Sequence, residues 1–314
     1  MTPSQRIINC IHTALPKSAK TVGWLLKIIV PVSFTVTLLQ YWGFIGYLSI
    51  YLRPLFSLIG LPGEASIVFI SSIFLSLYAP IAIIATLPLD MREITILAIM
   101  CLISHNMVAE TAIQKKAGSH PFVIITLRLL ASLGMAFIFN KILPADMGSK
   151  IINEQAQHFS GILPMLTNWM IGTGWLALKI SLIVTGLMIL QNILKEFNVI
   201  NWLTKIFSPL LKIMGLSADC TFLWLVGQIL GLTYGAAVTL DELDKKSISP
   251  RNAQLLNLHI AVNHSLLEDT LLFVAIGVPA GWIIGSRFLL ATVMVWIARL
   301  VRRSSVSTLF YHHY

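Results

Sequence analysis

The chain has 314 residues, of which 56% are hydrophobic and 11% are charged, and its formal net charge is +9. Its mean hydropathy of +0.82 excludes a soluble globular domain, because such a domain could not keep that much apolar surface from water. The apolar runs are continuous for about 20 residues, as spanning helices require, and lack the alternation of barrel strands. The composition therefore predicts an all-α, polytopic integral membrane protein.

The charged residues and cysteines narrow the class further. Basic residues lie at the ends of apolar segments and in short loops and are not clustered into a face for nucleic acid. Segment 1–21 is polar and mixed, without a signal-peptide core, and we expect it to be cytoplasmic. Cys10, Cys101 and Cys220 lack the spacing of a metal cage and are expected to be buried apolar residues.

Two blocks of the first half recur in the second half. RPLFSLIGLPGEASIVFI (53–70) aligns with SPLLKIMGLSADCTFLWL (208–225) at an offset of 155 (208 − 53). ISHNMVAETAI (103–113) aligns with VNHSLLEDTLL (262–272) at an offset of 159 (262 − 103). Such internal repeats are typical of transporter folds. The polar residues kept in both halves are His105 and His264, Glu110 and Asp269, Thr111 and Thr270, and Arg128 and Arg287.

Each half contains five apolar segments that are candidates for spanning helices. The second segment of each half is the weakest candidate, because Arg53, Lys205 and Lys212 would also suit an interfacial helix. The segments lie near 22–42, 43–60, 65–87, 94–113 and 121–142 in the first half, and near 172–193, 197–215, 220–240, 252–273 and 282–301 in the second.

An odd number of spans per half would invert the second half relative to the first. With a cytoplasmic N-terminus, the lysine-bearing loops 114–118 and 241–251 and the C-terminus then all face the cytoplasm, as the positive-inside rule favours. Four spans per half would make the halves parallel but would place Lys115 and Lys116 outside. We therefore predict about ten transmembrane helices in two inverted five-helix repeats. The predicted divisions are an N-terminal segment 1–21, a first repeat 22–142, a linker 143–170, a second repeat 171–303 and a C-terminal tail 304–314.

The repeated polar residues predict a pseudo-symmetric site near the membrane midplane. An ionisable side chain in the middle of a spanning helix costs about 2.5–3.5 kcal/mol and needs a partner or water. Asn263 and Asp269 join the polar face of the last-but-one segment only if the helix unwinds around 263–270, and glycine-rich stretches at 60–66, 215–220 and 227–237 also predict interrupted helices. The predicted solute-binding residues are His105, Asn106, Glu110, Thr111, Arg128, Gln228, Asn257, Asn263, His264, Glu268, Asp269, Thr270 and Arg287.

Simpler roles remain open for these residues. The histidines could be structural, the acids could only neutralise Arg128 and Arg287, and these arginines could instead reach the headgroups. Cys101 lies one turn before His105, which would suit a soft metal, but its counterpart is Ile260. We therefore predict no metal site and no cofactor.

The second half carries a family resemblance. NHSLLEDTLLF, GLSADCTFLWLVGQILGLTYGAAV and GVPAGWIIGSRF resemble the Gate, or nucleoside-recognition, domain of concentrative nucleoside transporters, ferrous-iron permeases and paired sporulation membrane proteins. The resemblance covers most of the chain as two copies, of which the second is closer, because SHNMVAETAIQ lacks the acid before Glu110. It implies an inner-membrane protein that moves, or gates the movement of, a small solute. A G-x-x-x-x-G-K-[ST] motif, which the G-protein domain of the iron permeases would need, does not occur.

The leading hypothesis is a transporter or permease of the bacterial inner membrane, with both termini cytoplasmic. Its solute would be nucleoside-like or a small organic anion, coupled to protons or another ion. The expected partners are this solute and membrane lipid, not nucleic acid, and homo-oligomerisation is left open. One alternative is a metal-dependent membrane enzyme using His264 and Glu268, but H-E-x-x-H and G-x-S-x-G motifs are missing, so we expect no enzyme. The other alternative is a non-transporting partner subunit.

Overall fold

A computed structural model describes residues 2–116, 119–148 and 161–301. Within these ranges every regular element is helical, which confirms the all-α prediction for them. The expected tail 304–314 and residues 149–160 of the expected linker lie outside the described residues.

The helices of the two halves follow one another in the same order. The first half contains α1 Pro3–Tyr41, α2 Phe44–Ser57, α3 Ala65–Phe74, α4 Tyr78–Ile84, α5 Met91–Ser104, α6 Met107–Lys116 and α7 Pro121–Ile142. The second half contains α8 Ile162–Glu196, α9 Val199–Ile213, α10 Thr221–Leu230, α11 Leu232–Asp244, α12 Pro250–Val262, α13 Leu266–Val274 and α14 Ala280–Val301. The repeat offsets reappear in the helix bounds: α1 and α8 end 155 residues apart (196 − 41), and α7 and α14 both start and end 159 residues apart (280 − 121, 301 − 142).

In the part of the chain that the structure describes, five helical segments are long and apolar enough to cross a membrane: α1, α5 together with α6, α7, α8 and α14. Large apolar side chains on their outer faces are exposed, among them Trp24 at 56%, Trp175 at 63% and Leu289 at 65%. Such contiguous apolar surface suits contact with lipid and not with water. The chain is therefore a helical membrane protein.

The first helix begins earlier than the polar composition of segment 1–21 predicts. Thr2 caps it in a capping box with Gln5, and Pro3 occupies the first turn, where its missing N–H is harmless. Cys10 and Ala14 are buried, so this polar stretch still has an apolar stripe. At 1.5 Å per residue, the 39-residue α1 is about 58 Å long and extends beyond a hydrocarbon core of about 30 Å.

The second segments of the two halves form short helices. With 14 and 15 residues, α2 and α9 are about 21 and 23 Å long, and neither can cross the bilayer as a straight helix. Tyr47 and Tyr51 of α2 and Trp202 of α9 are exposed, which fits aromatic side chains at a membrane interface. The expectation of five crossing helices per half is therefore not reproduced by the described residues.

The third segments are helical hairpins and not single spans. Gly227 of α10 and Gly235 of α11 lie so close that a Cβ on Gly235 would be 2.9 Å from the Gly227 Cα. Before α3, Gly60 lies against the Asn140 side chain, and after α4, Arg92 donates to the same side chain at 2.8 Å. The chain thus enters and leaves the α3–α4 hairpin on one side of the molecule.

The fourth segments, α5–α6 and α12–α13, run in opposite directions. The start of α5 lies at the end of α7, where Arg92 contacts Asn140. The start of α12 lies towards the start of α7, where Asn257 contacts Ser119. Every residue of α5 from Ile94 to Ser104 is buried, so this helix delivers its C-terminal end to the centre of the molecule.

The two long helices that open the halves pack against each other in antiparallel fashion. Arg6 of α1 pairs with Glu196 at the end of α8, at 2.8 Å. At the far end, the Trp169 indole near the start of α8 donates to the Ser33 hydroxyl at 3.1 Å. Equivalent helices of the two halves therefore point in opposite directions.

Candidate functional site

The fourth segment of each half is broken at an equivalent residue. Asn106 lies between α5 and α6 with φ of 47°, and Ser265 lies before α13 with φ of 48°. Their positions differ by the repeat offset of 159 (265 − 106). Left-handed backbone is uncommon for residues other than glycine and persists only where the surrounding structure holds it. The interruption expected around 263–270 is thus present, but it is confined to the residues before Leu266.

Each break rests on the neighbouring hairpin. The Asn106 backbone N–H donates to the Ser72 carbonyl of α3 at 2.8 Å, and the Ser265 N–H donates to the Gly227 carbonyl of α10 at 3.1 Å. Ser72 and Gly227 are themselves equivalent, at an offset of 155 (227 − 72). Groups that a continuous helix would satisfy internally are therefore satisfied between elements, as membrane interiors require.

A fully buried arginine stabilises each break. Arg128 of α7 donates to the carbonyls of Ile103 at 2.7 Å and His105 at 2.8 Å. Arg287 of α14 donates to the carbonyls of Val262 at 3.4 Å and His264 at 2.5 Å. These carbonyls end a helix and lack intrahelical partners. Since both arginines have 0% exposure, neither reaches towards headgroups.

The same arginines also hold an acid on the far side of each break. Arg128 Nη2 lies 2.8 Å from Glu110 Oε2 on α6, and Arg287 Nη2 lies 3.2 Å from Asp269 Oδ2 on α13. Each arginine therefore connects the two helical pieces through two carbonyls and one carboxylate. The structure supports the expectation that these acids neutralise the arginines, but the acids have further partners.

Two histidines from the two halves meet between these acids. The His105 and His264 ring centroids are 5.1 Å apart. Each ring nitrogen Nδ1 faces the carbonyl four residues earlier, Cys101 at 3.1 Å and Ile260 at 2.9 Å. Both Nε2 atoms face the same Glu110 Oε1, at 3.1 and 3.2 Å. One carboxylate of the first half thus serves both histidines, and the cluster is only pseudo-symmetric.

We call His105, Glu110, Arg128, His264, Asp269 and Arg287 the charged cluster. All six are buried, and all six were predicted from the repeat. One nitrogen of each histidine and one oxygen of Asp269 lie within 4.8 Å of one another. Nη1 of Arg128 and Nη1 of Arg287 have no hydrogen-bond partner among the described residues, so the cluster offers donors as well as carboxylate acceptors.

Unpaired polar side chains lie in the same helices. Thr111 Oγ1 and Thr270 Oγ1, which are equivalent, have no hydrogen-bond partner among the described residues. The Asn263 side chain is fully buried, and neither of its polar atoms has such a partner. Gln228 donates to the Asn263 carbonyl at 2.5 Å, whereas its own Oε1 is unpaired. Buried polar groups in this state need water or a ligand.

Of two further predicted residues, Glu268 lies next to the charged cluster and Asn257 lies apart from it. Glu268 is half-buried and accepts a hydrogen bond from the Tyr78 hydroxyl of the first half at 2.6 Å. Asn257 donates instead to the Gln114 carbonyl at 3.3 Å and to Ser119, near the connection between α6 and α7. The predicted polar face is therefore divided by the break, and Asn257 does not join the cluster.

Two buried polar residues could not be selected from the sequence. Tyr78 sits in an apolar run, and its partner is an acid 190 residues away. His259 is fully buried, with its ring 6.2 Å from that of Trp224. Its first-half counterpart is Met100 (259 − 159), so comparison of the halves could not select it.

Two comparisons with known proteins find similar sequences. A family model described as Gate, nucleoside recognition, matches residues 22–119, which include His105 and Glu110. The match falls on the first half, although the closer resemblance was expected in the second. The chain is 30% identical over 263 residues to the uncharacterized membrane protein YvoD of Bacillus subtilis (strain 168), covering 83% of this chain and 84% of that protein. No solved structure matches significantly.

Proposed function

Because the chain belongs to the Gate, or nucleoside-recognition, family of membrane proteins, we propose that it is a transporter of a small polar solute, coupled to an ion. The proposal treats it as a transporter of the bacterial inner membrane and not as an enzyme. A nucleoside-like solute remains the expectation from the family description. An organic anion is the other candidate, because Nη1 of Arg128 and Nη1 of Arg287 have no hydrogen-bond partner among the described residues.

One observation carries the proposal. Side chains from both halves, with their charges buried, converge where two broken helices meet. Ionisable groups at such depth are costly and mark solute or ion pathways in membrane proteins. Transporters commonly place their sites at interrupted helices between repeats, where unpaired backbone and side-chain groups can bind a ligand.

We further propose that the two halves cross the membrane in opposite directions. With α12–α13 crossing like its counterpart α5–α6, each half has three crossing segments and one hairpin. The number of crossings per half is then still odd, so the charge distribution expected for an inverted repeat is kept. The antiparallel packing of α1 on α8 supports this orientation. The loops with Lys115 and Lys245 and both termini then face the cytoplasm.

A purely structural role of the charged cluster is the competing explanation. The arginine–acid pairs favour this role. These pairs hold the breaks together whether or not a solute passes. The histidines separate the two roles, since replacing them leaves both arginine–carbonyl contacts in place. A partner subunit without transport activity would tolerate such replacements.

The test begins with thermal unfolding of the purified protein in the presence of nucleosides, dipeptides, organic anions and divalent metals. A ligand that binds only the folded protein raises its unfolding temperature. The compounds that do so are then offered to proteoliposomes with and without a pH gradient. We expect uptake that the double variant His105→Gln with His264→Gln abolishes, whereas His12→Gln, which removes an exposed histidine, leaves it unchanged. Equal accumulation in protein-free liposomes, or full activity of the double variant, would refute the proposal.

A further inference from the structure

The hydrogen-bond geometry of His105 and His264 cannot be satisfied by neutral rings. A neutral imidazole has one N–H donor and one acceptor nitrogen. Each ring here faces a carbonyl oxygen at Nδ1 and the Glu110 carboxylate at Nε2, and both of these accept. A neutral ring therefore satisfies either the carbonyl or the carboxylate and points a lone pair at the other oxygen. A metal ion at Nε2, with the ring proton on Nδ1, satisfies both sides of the ring.

Three acids and two arginines lie around the two rings. Glu110 and Asp269 are each paired with one arginine, and Glu268 accepts a hydrogen bond from Tyr78. A cation bound at the rings would therefore lie among three acids.

The ligand geometry fits a metal ion. Ligand atoms around a tetrahedral ion with bonds of about 2.1 Å lie about 3.4 Å apart. The two Nε2 atoms already lie 3.1 and 3.2 Å from Glu110 Oε1, and an Asp269 oxygen is within 4.8 Å of both histidines. The Nδ1–carbonyl contacts are the outer interactions that orient metal-binding histidines.

We propose that the charged cluster binds one divalent first-row transition-metal ion through His105, His264 and its carboxylates. The metal forms bonds to both Nε2 atoms and to carboxylate oxygens, with each ring proton on Nδ1, where it faces a carbonyl. Imidazole with carboxylate selects Zn²⁺, Co²⁺ or Fe²⁺ over Mg²⁺ and Ca²⁺. This assignment departs from the sequence expectation of no metal site.

Several other ionisable groups surround the two rings, and they must be counted in any dependence on pH. Of these, Glu268 interacts electrostatically with both histidines, and His259 interacts with Arg287. The complete set comprises Cys101 on α5, Glu110 on α6, Arg128 on α7, His259 on α12, Glu268 and Asp269 on α13, Arg287 on α14 and Tyr78 on α4.

The inference rests on the proposed function for its consequence, namely that the metal ion takes part in transport. Its test does not require transport. Zn²⁺ or Co²⁺ is titrated into the purified full-length protein in detergent, and binding is followed by calorimetry. We expect one ion to bind to each chain, and Mg²⁺ not to bind.

Variants assign the site. His105→Gln with His264→Gln should weaken binding more than about 100-fold, since loss of merely an outer contact already costs about 10–100-fold. The matched control is His312→Gln with His313→Gln, which also removes two histidines but lies outside the described residues. It should bind as the wild type does. Should the first double variant fail to fold, Glu110→Gln provides the same test.

Two results would overturn the inference: no stoichiometric binding by the wild type, or unchanged binding after both histidines are replaced. Failure of the proteoliposome uptake assay would count against the proposed function alone, because equilibrium binding is measured without vesicles.

Discussion

His105 and His264, which the chain separates by 159 residues (264 − 105), share a single carboxylate oxygen of Glu110. The sharing depends on the two breaks, because each histidine directly follows or nearly follows the last residue of a helix. Continuous helices would keep the carbonyls of the last turn within their own hydrogen-bond ladders. The breaks free those carbonyls for the arginines and bring the rings together at the helix ends.

The arginine contacts should contribute strongly to stability. We expect Arg128→Leu to lower the free energy of unfolding by about 3–5 kcal/mol, because Glu110 and two carbonyls lose a buried partner. Arg6→Leu is the control, since it breaks an exposed pair with Glu196 and should cost about 0–1 kcal/mol. Thermal unfolding in detergent measures both. Equal effects of the two substitutions would show that the buried arginine is not structural.

At the two residues with left-handed backbone, substitution is expected to raise the stability and not to lower it. Asn106→Gly and Ser265→Gly should stabilise the protein by up to about 1 kcal/mol or leave it unchanged, because glycine adopts positive φ without strain. Ser181→Gly, in the middle of α8, should instead destabilise it by about 0.5–1 kcal/mol. Unfolding temperatures compare the three variants directly. Clear destabilisation by both break variants would mean that their backbone is not strained.

The close approach of α10 and α11 should not tolerate a methyl group. Gly235→Ala places a Cβ 2.9 Å from the Gly227 Cα, so the hairpin must open, at a cost of about 1–3 kcal/mol. Gly186→Ala in α8 meets no atom within 4 Å and should be neutral or stabilising, because alanine is the better helix former. A Gly235→Ala protein as stable as the wild type would indicate that the hairpin is looser than described.

The proposed orientation predicts which loops face each side. Lys245, whose pKa is raised by its hydrogen bond and charge interaction with Asp241, stays cationic and should lie in the cytoplasm. Lys141 lies at the end of α7 and should face the opposite side. Lys245→Cys and Lys141→Cys should therefore react with a membrane-impermeant thiol reagent from opposite sides of oriented vesicles. The native cysteines are buried and should give little background. Labelling of both from one side would contradict the inverted arrangement.

The sequence predicted the class, the repeat and the members of the charged cluster, because buried ionisable residues stand out in an apolar chain and recur at a fixed offset. It did not predict the crossing number. An apolar run such as 65–87 has the length of a span whether it is straight or folds back as α3 and α4, and only packing decides between them. The sequence did not indicate a role for Tyr78 either, because its hydrogen-bond partner, Glu268, lies in the other half.

The shared carboxylate also bears on why the two halves belong to one polypeptide. In a pair of identical half-length chains, positions 110 and 269 would hold the same amino acid, and any bridge made by one copy would be duplicated or blocked by the other. Fusion allows glutamate in one place and the shorter aspartate in the other. The longer glutamate then contacts both histidines from one half only. The centre is therefore asymmetric in a defined direction, which two identical chains could not achieve.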